Sequence, residues 1–141
     1  SLNERDFLID WKKLYSIAKD LLEAFEIKPK NAFEKTGNLS GGNQQKVVVA
    51  RETNKIPKLL IASNPTWGLD VGAINFVHEK INYLKEQGCG VILCSSDLQE
   101  LTKLSDRIIV LYRGKKTLET SIDNYKMQEI SMAMAGKTFV S

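Results

Sequence analysis

The chain has 141 residues, 43% apolar and 26% charged, which is room for one globular domain and hardly two. That composition excludes a disordered tail, a collagen-like repeat and a low-complexity linker. Twenty basic against seventeen acidic residues leave a formal charge of +3, too slight to argue for nucleic acid by itself. The apolar runs, such as Ile108 to Tyr112, fall far short of the ~18 residues a membrane helix needs. No basic-then-apolar leader opens the chain, and Cys89 and Cys94 stand in neither a metal-ligand nor a disulfide-dense spacing. A reducing cytoplasm is the expected setting.

In chain order, Asp6 to Ile27 sets Phe7, Trp11, Leu14, Ala18, Leu21, Leu22 and Phe25 at helical spacing. That predicts an amphipathic helix with one buried stripe, ended by Lys28-Pro29-Lys30, because proline cannot continue a helix. A polar stretch, Asn31 to Asn38, leads to a second predicted helix from Ser40-Gly41-Gly42 to Pro57. Leu59 to Ala62, Val91 to Cys94 and Ile108 to Tyr112 are short branched runs that read as strands buried on both faces, as in a parallel sheet. Val71 to Gln87 carries Ile74, Val77, Ile81 and Leu84 on one face and stops at Gly88, so it is a third helix. Arg113-Gly114-Lys115 predicts a hairpin turn into an edge strand, Lys116 to Glu119, and Asn124 to Ala135 a last helix closed by Gly136. The plan is α/β.

Leu39-Ser40-Gly41-Gly42-Asn43-Gln44-Gln45-Lys46 is the most informative stretch. It is a turn opening into a helix, with two glycines baring backbone N–H groups where the helix dipole is positive, a natural anion site. A serine N-cap with flexible glycines is the bland alternative for Ser-Gly-Gly alone. The full string resembles the signature motif of ABC-transporter ATPases, in the form found in the second ATPase half of importers for sugars and nucleosides. The resemblance continues in order along nearly the whole chain. Leu59 to Thr66 resembles the Walker B strand, and Trp67-Gly68-Leu69-Asp70 resembles the D-loop, with Asp70 as its acid. Val91 to Ser96 resembles the strand into the H-loop, and Ser105 to Leu111 the last core strand.

Three departures qualify that resemblance. A Walker B strand ends in Asp-Glu, acids that orient the Mg²⁺ shell and polarise the attacking water. Ser63 and Asn64 stand at those positions, and Asn64 has no basic lone pair for a proton at neutral pH. Ser96 stands where the family has its H-loop histidine, and Ser96-Asp97-Leu98-Gln99 fits a capping box with Ser96 as N-cap. The one histidine, His78, reads as a surface or half-buried helix residue without catalytic work. Nowhere does G-x-x-x-x-G-K-[ST] occur, so no P-loop cradles phosphate within these residues.

The resemblance therefore implies an incomplete P-loop NTPase (ABC ATPase) core, a mainly parallel sheet with helices, plus part of the helical subdomain. Residues 1–57 would be the helical portion with the signature, and 58–141 the C-terminal part of the core of a second ATPase half. Leu39, Ser40, Gly41, Gly42, Asn43, Gln44 and Gln45 would bind ATP in trans, held on the P-loop of the first ATPase half of the same parent chain. The site that uses Ser63, Asn64 and Ser96 would be hydrolytically dead, leaving no catalytic residue and no metal ligand in this chain. ATP and Mg²⁺ belong to the full-length parent, with none expected on this chain alone. Transmembrane permease subunits are the implied partners, at the cytoplasmic face of the membrane, with sugars or nucleosides as cargo. A non-catalytic ABC-like interaction module is the alternative, but an idle domain has no need of two exposed glycines at a helix start. A nucleic-acid-handling ATPase fails on dispersed basic residues without aromatic interleaving. Loss of the P-loop strand is expected to leave Val91–Cys94 and Ile108–Tyr112 to pair directly, or through another chain.

Overall fold

Asp10 opens the first helix by accepting the Lys13 N–H at 3.0 Å, in a computed structural model that describes residues 9–139. Phe7, expected on that helix, lies outside the described residues. The contacts gather into two units. One holds the described residues through Leu60 with Pro65–Val91; the other holds Ile61–Asn64 with the described residues from Ile92 onward.

In the first unit, helix α1 (Trp11–Ala24) is followed by a 3₁₀ turn (Thr36–Asn38), α2 (Gly41–Thr53) and α3 (Val71–Glu86). The expected buried stripe along α1 is corrected: Trp11 is 70% exposed and Leu14, Tyr15 and Ile17 are exposed too. Helical spacing fixes which residues share a face, not what covers it. Among the described residues, full cover is found only at the exit, where Phe25, Ile27 and Ala50 form a core with Leu21, Leu22, Leu39, Val47, Val49 and Phe76 around it. Proline is not the stop either. Glu26 turns left-handed (φ +49°), its N–H donates to Glu23 O at 3.2 Å, and the Ile27 N–H donates to Leu22 O at 2.9 Å. That is a Schellman closure, with buried Ile27 as its apolar contact, completed before Lys28.

Helix α3 buries Ala73, Val77, His78, Ile81 and Leu84, and Gly88 ends it at φ +83°. His78 is 7% exposed, so the surface or half-buried expectation is corrected. It falls four residues after Ile74 and three before Ile81, on the apolar stripe itself.

Strands β1 (Leu59–Ser63) and β2 (Gly90–Cys94) form a two-stranded sheet. The Gly90 N–H donates to Lys58 O at 3.0 Å and the Asn64 N–H to Cys94 O at 2.7 Å, so the pair runs parallel. In the second unit, β3 (Arg107–Tyr112) and β4 (Lys115–Ser121) pair antiparallel, from Arg107↔Ser121 to Tyr112↔Lys115. Arg113 (φ +46°) and Gly114 (φ +75°) make the two-residue turn between them, the doubly positive combination that suits strand twist. The register shifts between Val110 and Leu111, so the adjacent Thr117 and Leu118 are both buried. Ile108, Val110 and Leu118 pack with Ile130 and Ala133 of α5 (Met127–Met134) as the core of this unit. A 3₁₀ turn, Ile122–Asn124, occupies the start expected for that last helix.

Two sheet expectations are corrected. The strands are not buried on both faces: Leu59, Ile61, Ile92, Ile109 and Leu111 are exposed. Successive strand residues point to opposite faces, and among the described residues only one face is covered. Nor do β2 and β3 pair; β3 takes β4 through its short turn, and the described strands form two separate sheets.

Candidate functional site

The start of α2 is held from several directions. Ser40 is its N-cap, in extended backbone, and its Oγ accepts from Asn43 Nδ2 at 2.9 Å and, more weakly, from the Asn43 N–H at 3.4 Å. Asn43 Oδ1 accepts the Lys28 N–H at 2.9 Å, joining the exit of α1 to this turn. Gln44 Nε2 donates to Leu39 O at 2.8 Å, and Gln45 Nε2 to Pro65 O at 2.7 Å. The polar side chains of the stretch are thus engaged by their own chain. The N–H groups of Gly41 and Gly42 precede the first helical hydrogen bond and have no partner among the described residues.

Gly42 lies against the start of α3. A Cβ there would stand 3.2 Å from Ala73 Cβ and 3.6 Å from Asp70 Oδ2. Asp70 caps α3, its Oδ1 accepting the Ala73 N–H at 2.9 Å. The two helix starts border a cavity of about 390 Å³ whose wall includes Glu26, Ser40, Asn43, Lys46, Asp70 and Phe76. Lys46 Nζ sits 4.7 Å from the Phe76 ring centroid and donates to Glu26 O at 3.4 Å. Bare N–H groups and a dipole end can hold an oxyanion without transferring a proton. Local sequence does not disclose the ties from Asn43, Gln45 and Lys46, because their partners lie 15 to 30 residues away along the chain.

Ser63 and Asn64 end β1 in the second unit. Asn64 is left-handed (φ +45°), and its Oδ1 accepts the Ser96 N–H at 3.2 Å. Ser96 is not the N-cap of α4 (Leu98–Leu104); Asp97 is, its Oδ1 accepting from Gln99 N at 2.8 Å and Glu100 N at 3.3 Å. A carboxylate reaching two N–H groups outcompetes the neighbouring hydroxyl, and the Ser96 N–H is drawn to Asn64. Ser63 and Asn64 thus bring a hydroxyl and an amide, and no carboxylate, to this end of β1. Among the described residues no group of three His, Cys, Asp or Glu could hold a metal.

No protein-family model matches the chain. It is 38% identical over 128 residues to the nucleoside import ATP-binding protein NupA of Lactococcus lactis subsp. cremoris, covering 91% of this chain and 25% of that protein. It is 40% identical over 126 residues to the guanosine import ATP-binding protein NupO of Bacillus subtilis (89% and 25%). It is 42% identical over 128 residues to the ribose import ATP-binding protein RbsA of Caldanaerobacter subterraneus subsp. tengcongensis (91% and 26%). The chain spans about a quarter of the length of these curated relatives. Among solved structures, a dimeric post-hydrolysis state of an ATP-binding cassette bound to ADP and Pi matches with a TM-score of 0.69 and 26% identity, over 84% of this chain and 51% of that one. An ATP-binding subunit of an ABC transporter matches in fold alone, with a TM-score of 0.68 and 22% identity over 92% of this chain and 52% of that one. The chain is homologous along about nine-tenths of its length to sugar and nucleoside import ATP-binding proteins, and its α/β fold is that of part of an ABC ATPase cassette.

Proposed function

We propose that the chain is part of the ATP-binding subunit of an ABC importer and supplies the signature, Leu39 to Gln45, to a composite ATP site. The P-loop of that site stands on the first ATPase half of the parent chain. The observation that supports this reading is the pair of N–H groups on Gly41 and Gly42, without partners among the described residues while the side chains of Ser40, Asn43, Gln44 and Gln45 are engaged. Aimed at a γ-phosphate, they stabilise charge on its oxygens as phosphoryl transfer proceeds, and they need no proton transfer to do so. Mg²⁺, which neutralises phosphate charge, belongs with the P-loop of the parent; Ser63 and Asn64 do not hold it. The site at the end of β1 does no hydrolysis, because Asn64 cannot take a proton from water. The parent works with transmembrane permease subunits at the cytoplasmic face of the membrane, and its cargo is a sugar or a nucleoside, as the names of its relatives indicate.

A helix end offers a phosphate only about 0.3–1 kcal/mol when exposed. Titration calorimetry of ATP into this chain alone is therefore expected to show no micromolar site, and into the full-length parent a clear one. Micromolar affinity of this chain by itself overturns the composite-site reading.

A further inference from the structure

Gln45 lies on the flank of α2, one turn past the bare glycine N–H groups, and its side chain points to the chain segment after β1. Its Nε2 donates to the carbonyl of buried Pro65 at 2.7 Å. From Pro65 the backbone runs through Trp67, 87% exposed, to Asp70, the cap of α3. The same two elements touch at Gly42, which packs on Asp70 and Ala73, and at Lys46, which lies over the Phe76 ring. The Gln45 bond reaches the loop between them by a directed hydrogen bond from the signature helix, whereas the other two contacts grip α3 and its cap.

We propose that Gln45 is a positioning residue: through Pro65 it fixes the loop of residues 65–70 to the signature helix, so that signature and loop move as one piece. The tie itself stands on the geometry; its effect on turnover rests on the function proposed above. A donor is what the position requires, because a carbonyl accepts and cannot donate. Gln45→Met keeps the size and loses the donor, and Gln45→Glu replaces it with a charge that the Pro65 oxygen repels. Gln45→Lys restores an N–H donor on a stem of similar reach.

The test is amide hydrogen exchange on the full-length protein without nucleotide, read at residues 66–70 and, as an internal standard, in the middle of α2 and α3. Losing one hydrogen bond is expected to speed exchange in the Met and Glu variants roughly three- to tenfold at residues 66–70, with the helix interiors unchanged. The Lys variant is expected to return most of the protection. Unchanged exchange at residues 66–70 in the Met and Glu variants overturns the proposal, as does equal loss in the Lys variant. Because no nucleotide is present, this outcome is independent of whether the signature serves ATP in trans.

Discussion

Asn64 Oδ1 accepts the Ser96 N–H at 3.2 Å while the Asn64 N–H donates to Cys94 O at 2.7 Å, so one residue closes the ends of two parallel strands. Asn64 does this from the left-handed region, which asparagine tolerates better than most residues. The Asn64 side chain is therefore a structural clasp. Asn64→Ala loses both the acceptor and that tolerance and is expected to cost the chain about 2 kcal/mol. Asn64→Asp keeps an acceptor oxygen and should cost less than half as much. Urea denaturation midpoints for the two variants check the order; an Asp variant as unstable as the Ala variant contradicts the clasp.

Gly136 ends α5 at φ +97° beneath the ring of Tyr112, and a Cβ there would stand 2.7 Å from Tyr112 Cε1. Gly136→Ala combines left-handed strain with displacement of an aromatic ring and is expected to destabilise by about 3 kcal/mol. Gly37→Ala, with nothing within 4 Å of its added methyl, is the matched control and should stay within about 0.5 kcal/mol. Thermal melts of both variants provide the comparison.

Glu119 is held below the usual carboxylate range, first by its hydrogen bond from Lys116 and then by the charge of Lys116; desolvation opposes them, and Arg107 adds a smaller lowering. Its oxygens lie 2.7 Å from Lys116 Nζ and 2.9 Å from Arg107 Nη1. A lowered folded-state value means the pair stabilises the hairpin above the carboxyl's unfolded titration and stops doing so as pH falls through the folded one. Glu119→Gln is expected to be slightly less stable than the parent sequence at neutral pH and equal to it in strong acid. High salt should shrink the neutral difference, because the pair is at the surface. A gap that widens on acidification contradicts this sign.

The sequence carried much of this, unevenly. Helix α3 was legible because Val77, Ile81 and Leu84 repeat at its period and Gly88 stops it. The hairpin was legible from Arg113-Gly114 between branched runs. His78 could have been placed by the same periodicity, since it falls on the stripe between Ile74 and Ile81. Ser96 and Asp97 are both able caps, and only the pull of Asn64 on one N–H and the two-pronged reach of the Asp97 carboxylate decide between them. Trp11 and Leu14 show the limit of periodicity, which marks a face without supplying its cover. At the candidate site, the placement of Gly41 and Gly42 at a helix start capped by Ser40 was readable, whereas the grip of Gln45 on Pro65 was a matter of folding alone.

The most direct test of the composite site is steady-state ATP hydrolysis by the full-length protein with its permease, comparing Gly42→Asp with Ser63→Ala. In the proposed composite site a carboxylate at Gly42 would face the γ-phosphate held by the other half, and like charges about 4 Å apart near a protein surface repel by roughly 4 kcal/mol. That predicts a drop in turnover on the order of a hundredfold or more, while Ser63→Ala stays within about twofold. The new carboxylate also meets Asp70 Oδ2 inside its own chain, so Gly42→Asp with Asp70→Asn is measured against Asp70→Asn alone. The account predicts that the double variant remains as depressed as Gly42→Asp. Normal turnover of Gly42→Asp, or its full recovery when Asp70 loses its charge, would contradict a signature that serves ATP in trans.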